Sequence, residues 1–116
     1  MSKKAKGNRA EQLAAAFLSQ QGLQLVERNF RIEGGEIDLI AKHQQAYVFI
    51  EVKYRHDENF AAALEQITPA QCRRIRFTAQ HFLLQRGLDQ HRLRLRFDVI
   101  TITGPDASIN WLKDAF

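Results

Sequence analysis

Three charged residues in the middle of the chain have the types and spacing to act together in catalysis. Asp38 interrupts the apolar run 37–40, and Glu51, thirteen positions later, and Lys53 interrupt the run 48–54. Ionised groups within apolar segments are costly unless something compensates them. Two carboxylates and an ammonium around a divalent cation and a phosphodiester would provide that compensation. The pattern therefore predicts a metal site with a basic group beside it, as in a nuclease centre.

Strand alternation predicts which of these side chains meet. On one strand Glu36, Asp38 and Ile40 are expected on one face, with Ile37, Leu39 and Ala41 on the other; on the next strand Phe49, Glu51 and Lys53 share a face. If the turn pairs the acidic faces, Asp38 and Glu51 can share one ion. Hard oxygen ligands favour Mg²⁺ or Mn²⁺. We expect Lys53 to be an electrostatic and positioning group first, since neighbouring carboxylates favour its charged form.

The elements that must position these residues read as an α/β domain. Apolar spacing predicts a helix at 8–21 that ends at Gly22, with Asn8 as N-cap and Glu11 completing a capping box at the edge of the apolar stripe. Strands at 23–32, 36–42 and 46–54 form an antiparallel meander. Thr68-Pro69 begins a second helix that runs to about 85.

A strand at 93–102 follows this helix. Because the helix forms a crossover connection, the strand should be parallel to an earlier one. Segment 55–66 reads as a polar loop with a helical turn at 60–64, and 109–116 as a short strand or helix.

Composition predicts a single domain over residues 1–116, with 1–6 as a mobile basic tail. The net charge of +4 and the pI near 9.6 mildly favour a polyanionic partner. The single cysteine, Cys72, excludes an internal disulfide, and no Cys and His residues have zinc-site spacing. No apolar stretch is long enough for a signal peptide or a membrane span. We therefore expect a cytoplasmic protein with no membrane partner.

Several motifs together resemble a known nuclease superfamily. Segments 35–38 and 49–55 resemble the PD-(D/E)xK signature, in which an Asp is followed by an acidic residue, one apolar residue and Lys, although Ile37 stands where the signature begins with Pro. More narrowly, segments 7–11, 27–31 and 96–99 resemble the bacterial YraN-like family of restriction-endonuclease-like proteins. The resemblance covers roughly residues 7–103, and the combined motifs are more specific than the acidic core alone.

This resemblance implies a restriction-endonuclease-like fold, a central mixed β-sheet flanked by helices. It also implies a site in which Lys53 is the catalytic lysine and the metal ligands are Asp38, Glu51, Val52 and Glu11. Mg or Mn would be the cofactor and DNA the substrate, with branched or recombination intermediates expected if the likeness to Holliday junction resolvases extends to substrate. Related resolvases are dimers, which points to a homodimer. Candidate contacts to DNA are Arg55, Arg73, Arg76 and Gln71.

Other interpretations stay open at this point. Glu11 could only cap its helix, Glu36 could be a strand-end charge near solvent, and Asp98 is better explained by pairing with Arg96 or another arginine than by metal binding. Tyr54 could stack on an unpaired base or pack at the strand end. Gln71 stands where related chains usually carry lysine. The four histidines have no ligand spacing. The rival function is a nucleic-acid-binding module of the same fold with little or no cleavage, acting through a partner in DNA repair, recombination or uptake.

Overall fold

The computed structural model describes residues 3–116, with side chains from residue 8 onward. In chain order the elements are α1 (Lys3–Gln20), β1 (Gln24–Ile32), β2 (Gly35–His43), β3 (Ala46–Arg55), α2 (Phe60–Glu65), α3 (Pro69–Gln85), β4 (Arg94–Thr103) and β5 (Ser108–Leu112). The five strands form one sheet in the order β1-β2-β3-β4-β5. Only the β3–β4 pair is parallel. The predicted α/β class, the meander and the parallel crossover strand are confirmed.

The sheet is covered on both faces, because its central strands are apolar on both sides. Helix α1 packs its stripe of small and apolar residues on one face, against β2, β3 and β4. Helix α3 covers the other face, where Phe82 contacts Phe49 edge-to-face at 6.0 Å between ring centroids. Doubly covered strands of this kind read as near-continuous apolar runs. A charged side chain in such a run therefore stands out.

The helix ends show where local sequence rules hold and where they fail. Thr68 caps α3, accepting a hydrogen bond from the Gln71 N–H, and Gly87 at φ +66° follows the C-cap of that helix. The prediction of Asn8 as N-cap of the first helix is wrong, since α1 already begins at Lys3. Lysine and alanine are good helix formers, so the helix extends beyond that candidate cap. Of the predicted mobile tail 1–6, residues 1 and 2 lie outside the described residues and 3–6 are helical in backbone.

Strand β2 departs from simple alternation just before the acidic position. Ile37 packs in the apolar cluster between the sheet and α3, whereas Leu39 packs in the cluster between the sheet and α1. The prediction that they share a face is therefore wrong. Strand β1 beside them is irregular. Its register shifts between Leu25 and Glu27, and Asn29, at φ +53°, lies opposite Asp38. The pairing of β2 with β3 ends at Leu39, so Ile37 lies beyond the ladder that keeps the rest of the strand in regular alternation.

A buried polar network joins β4, β5 and the C-terminal segment. Asp98 is fully buried and accepts hydrogen bonds from the Arg96 guanidinium, Trp111 Nε1 and the Asp114 N–H, at distances between 2.9 and 3.2 Å. The predicted pairing of Asp98 with Arg96 is confirmed. This network anchors the far edge of the sheet.

Residues 3–116 contain no helix that is long and apolar enough to cross a membrane.

Candidate functional site

Asp38 and Glu51 lie where strands β2 and β3 separate. The ladder between these strands runs from His43–Ala46 to Leu39–Ile50 and stops there. One step further in this register, Asp38 faces Glu51. The Asp38 carboxylate enters the gap, and its Oδ2 accepts a hydrogen bond from the Val52 N–H at 2.9 Å. The two carboxylates therefore meet at the open end of a strand pair.

The carboxyl of Glu51 is buried and highly perturbed. Burial, then the charge of Asp38 and a hydrogen bond to that carboxylate, raise the pKa of Glu51 from 4.5 to about 9, against the opposing effect of Lys53. Two carboxylates this close cannot both ionise cheaply in a desolvated place. The pair therefore shares a proton at neutral pH, and a bound cation would take the place of that proton.

Lys53 is held beside this pair by contacts from two elements. Its Nζ lies 3.7 Å from Glu51 Oε1, and its side chain is only 18% exposed. From the first turn of α3, the Gln71 side chain reaches both groups: with its amide oriented to satisfy them, the oxygen accepts from the same Nζ at 3.1 Å and the nitrogen donates to the Gln66 carbonyl at 3.3 Å. The ammonium is thus positioned between a carboxylate and an amide that is itself anchored to the segment after α2.

Glu11 approaches the pair from helix α1. Its side chain is buried, and its Oε1 has no hydrogen-bond partner among the residues whose side chains the structure describes. Burial, followed by the charges of Asp38 and Glu36, raises the pKa of Glu11 to about 6, while Arg28 and Arg31 act against that rise. A buried, unpartnered carboxyl oxygen is unusual in a folded protein. Capping is not its role, because α1 begins eight residues earlier.

Two cavities meet at the acidic pair. The larger, about 680 Å³, is called here the acidic cavity, and it lies between α1, the ends of β2 and β3, and the end of α2. Its wall includes Glu11, Asp38, Glu51, Val52, Tyr54, Arg55, His56, Asp57 and Gln66. A second cavity of about 180 Å³ opens toward α3, where Glu36, Gln71 and Arg74 join the same two carboxylates. The site is therefore accessible from both sides of the separated strands.

The candidate DNA-contacting residues are placed less uniformly. Arg55 lines the acidic cavity, but its guanidinium is bonded twice to the Asp57 carboxylate, at 2.7 and 3.1 Å. Gln71 lines the smaller cavity, and its side chain contacts Lys53. Arg73 and Arg76 are exposed on α3, outside both cavity walls, and the Arg76 guanidinium lies over the Phe97 ring. The structure gathers two of the four near the carboxylates.

Some residues around the site were not singled out from the sequence. Arg28 and Arg31, on β1, act electrostatically on Glu11, and Arg31 also pairs with the half-exposed Glu36 at 3.3 Å. Gln66 contributes a cavity wall and the carbonyl that anchors Gln71. The charged residues of segment 27–31 could have indicated from the sequence that Arg28 and Arg31 lie near the site. Gln66 gives no local signal, since its role depends on a contact to another helix.

Comparison with known sequences places the chain in a family. A model described as "Uncharacterised protein family UPF0102" matches residues 10–102. The chain belongs to this family. It is 54% identical to a UPF0102 protein of Idiomarina loihiensis over 110 residues, which cover 95% of each chain. It is also 49% identical to one from Shewanella sp. strain MR-4, over 95% of this chain and 97% of the relative, and 45% identical to one from Nitrosococcus oceani, over 96% and 90%.

The residues that this UPF0102 chain brings together suit a hard divalent cation. Within the described part of the chain, no three His, Cys, Asp or Glu side chains converge closely enough to enclose an ion by themselves. Magnesium is usually held by only one or two carboxylates, with water and substrate oxygens completing an octahedron. Asp38 and Glu51, next to the unpartnered oxygen of Glu11, fit that pattern. A zinc-type cage of nitrogen and sulfur ligands does not fit, because Cys72 lines neither cavity and, among the described residues, His56 alone of the histidines lies in the wall of the acidic cavity.

Proposed function

We propose that this protein is a Mg²⁺- or Mn²⁺-dependent endonuclease that hydrolyses phosphodiester bonds of DNA. The observation that carries the proposal is the meeting of Asp38 and Glu51 at the end of a separated strand pair, in the wall of a solvent-accessible cavity, with Lys53 paired to Glu51. The UPF0102 sheet, the resemblance to the PD-(D/E)xK signature and the narrower YraN-like motifs support a restriction-endonuclease-like assignment of the same chain.

The carboxylates supply the negative charge that a metal site needs. When bound, Mg²⁺ or Mn²⁺ would neutralise charge on the scissile phosphate and lower the pKa of an attacking water. Asp38 is held in place by the Val52 N–H, so its orientation does not depend on the ion. Glu51 loses its proton on binding, which makes the affinity for the ion rise with pH.

Lys53 supplies a fixed positive charge next to the reacting phosphate. Its contacts to Glu51 and Gln71 leave one ammonium hydrogen to orient water or to donate to a phosphate oxygen. A preorganised cation stabilises the charge that develops in the transition state more than it stabilises bound substrate. We therefore assign Lys53 an electrostatic role in the chemical step.

Glu11 adds a third carboxyl to the wall of the proposed site, from helix α1. Its unpartnered oxygen lies near enough to Asp38 and Glu36 to feel their charges. A carboxylate in that position can accept a hydrogen bond from a metal-bound water. Its elevated pKa, about 6, keeps part of the population neutral in the absence of a cation near neutral pH.

The basic surface supports a polyanionic substrate. The chain carries a net charge of +4, and Arg28, Arg31 and Arg74 lie around the two cavities. Arginine contacts to phosphates supply sequence-independent affinity that weakens as salt rises. Branched or recombination intermediates stay the expected DNA class on the strength of the resolvase resemblance, and the homodimer likewise stays a prediction.

The test is cleavage of branched, single-stranded and duplex DNA in Mn²⁺ or Mg²⁺. Wild-type protein should cut at least one substrate, EDTA should stop it, and Asp38→Ala and Glu51→Ala should each lower the rate at least about a hundredfold. Asp89→Ala is the matched control, because Asp89 is an exposed carboxylate remote from the cavities. Equal cleavage by wild type and both site variants would show that the site is misassigned.

The rival function is DNA binding without cleavage. One observation favours it: Asp38 Oδ2 already accepts a hydrogen bond from the Val52 N–H at 2.9 Å, so one carboxylate oxygen of the pair is engaged by the backbone. Salt-sensitive DNA binding by wild type, with no cutting of any substrate in either metal, would establish this alternative.

A further inference from the structure

An apolar pocket continues the acidic cavity away from the carboxylates. It has a volume of about 210 Å³ and lies between α1, the end of β3 and the turn that joins β4 to β5. Leu13, Pro105 and Ala107 form its apolar wall, while Tyr54, His56 and Ala10 line both this pocket and the acidic cavity. We call this space the side pocket. A group that enters it shares a wall with whatever occupies the acidic cavity.

The side pocket offers two aromatic rings and one nearby cation. Tyr54 is half-buried and packs against the α1 core, so its ring orientation is largely fixed before any ligand binds. His56 is exposed beside it, and Arg9 lies at the pocket wall. An ordered aromatic ring such as Tyr54, with a second ring and a guanidinium beside it, is a usual platform for an unpaired nucleobase and its phosphate. An apolar peptide would gain nothing from the adjoining carboxylates.

The distance along β3 suits neighbouring nucleotides of one strand. Tyr54 lies three residues beyond Glu51, which is about 10 Å at the rise of a β-strand. A phosphodiester at the acidic pair and a base near Tyr54 can therefore belong to adjacent or next-adjacent nucleotides. Bases in a duplex are stacked and paired, so only an unpaired or extruded base can enter.

We propose that the side pocket binds one unpaired nucleobase of the strand whose phosphodiester lies at Asp38 and Glu51. This inference rests on the proposed nuclease function and narrows its substrate to DNA with an unpaired nucleotide close to the cut. Every base has a π-face, so the pocket selects for the absence of pairing rather than for sequence. Duplex DNA without a branch, flap or gap is then a poor substrate.

The first experiment measures cleavage interference by abasic sites. A set of single-stranded oligodeoxynucleotides, each with one abasic site at a different position, is cut in Mn²⁺ and the products are mapped. The position of each cut shows which phosphodiester lay at the acidic pair, and therefore which base lay at the side pocket. Cutting should fall about tenfold at one phosphodiester, at a fixed number of nucleotides from the abasic site. Suppression at no offset, or equally at all offsets, overturns the proposal.

Variants assign the effect to the pocket. Tyr54→Leu keeps an apolar side chain but removes the ring, and should abolish the offset-dependent suppression. His56→Ala should weaken it, and is a change at an exposed residue that leaves the core intact. Phe77→Leu is the matched control, since it removes an exposed ring from α3, outside the side pocket. An unchanged interference pattern in both Tyr54→Leu and His56→Ala overturns the assignment.

A second experiment does not need cleavage. Binding of a thymidine oligodeoxynucleotide is compared with a fully abasic one of equal length and charge, using Ca²⁺ as the only divalent cation. Wild type should bind the thymidine strand about tenfold more tightly, and Tyr54→Leu should reduce that preference. If the protein prefers the thymidine strand but cuts no DNA, base binding in the side pocket is supported and the nuclease function is rejected. If it cuts DNA but binds both strands equally, the nuclease function is supported and base binding in the side pocket is rejected.

Discussion

The Val52 N–H donates to Asp38 Oδ2 over 2.9 Å, at the point where the backbone ladder between β2 and β3 has ended. A side-chain carboxylate thus satisfies a main-chain donor that an adjacent strand would otherwise satisfy. The bond fixes Asp38 relative to Glu51, the residue just before that donor. Val52, which the resemblance places among the metal ligands, here contributes to the site through its N–H.

Replacement of the buried carboxyl should stabilise the metal-free protein in a pH-dependent way. The pKa of Glu51 is raised from 4.5 to about 9 on folding, so its neutral form is favoured in the folded state. The stabilising contribution is complete below pH 4.5 and is lost as pH rises toward 9. Glu51→Gln should therefore match wild type near pH 4.5 and become more stable above it, by on the order of 1 kcal/mol per pH unit.

Thermal unfolding in EDTA between pH 5 and pH 8 measures this difference. Addition of Mn²⁺ should raise the melting temperature of wild type at pH 8 and leave that of Glu51→Gln unchanged, because the amide cannot supply a charged oxygen. Glu58→Gln, at an exposed carboxylate, is the control. A stability difference that does not grow with pH would contradict the assignment.

Loss of the Gln71 side-chain amide should slow the chemical step. Its oxygen contacts Lys53 Nζ and its nitrogen contacts the Gln66 carbonyl, so Gln71→Leu frees the ammonium to move. We expect kcat to fall about tenfold with KM little changed, since the contact matters for the transition state. Gln80→Leu, an exposed position on the same helix, is the control. A rise in KM alone would instead indicate a direct contact of Gln71 with DNA.

Asp98 should matter for stability and not for cleavage chemistry. Asp98→Asn removes the negative charge that accepts hydrogen bonds from the Arg96 guanidinium, Trp111 Nε1 and the Asp114 N–H. Breaking a buried pair from one side costs about 3 kcal/mol, which lowers the melting temperature by roughly 10 °C or more. Trp111 fluorescence should report the same change. Normal cleavage per folded molecule is expected, and a selective loss of activity would assign Asp98 to the site.

Gly35 should tolerate no side chain, because α3 lies directly against it. A Cβ at this position would overlap the Thr78 hydroxyl, which itself donates to the Arg74 carbonyl at 2.7 Å. Gly35→Ala should destabilise the fold by about 1–3 kcal/mol in urea unfolding. Thr78→Ala in the same chain should recover part of that loss. Additive losses in the double variant would show that the two groups are not in conflict.

Local sequence patterns were sufficient for most of the architecture. Alternating and apolar runs located β1, β2, β3 and β4 to within a residue or two, and Thr68-Pro69 located the start of α3, because these signals depend only on near neighbours along the chain. The charged interruptions at Asp38, Glu51 and Lys53 identified the candidate site for the same reason. Ionised groups in apolar runs are visible before any fold is known.

The tertiary structure decided what these residues do to one another. The register of β2 on β3 and the separation of these strands bring Asp38 onto the Val52 N–H. The packing of α1 and α3 brings Glu11 and Gln71 to the same place. Such contacts join segments far apart in sequence, and a shift of one residue in register would send each side chain to the other face. Local propensity carries no information about the strand register. The amino-acid sequence therefore determined which residue types the site contains, and long-range packing determined how they are arranged.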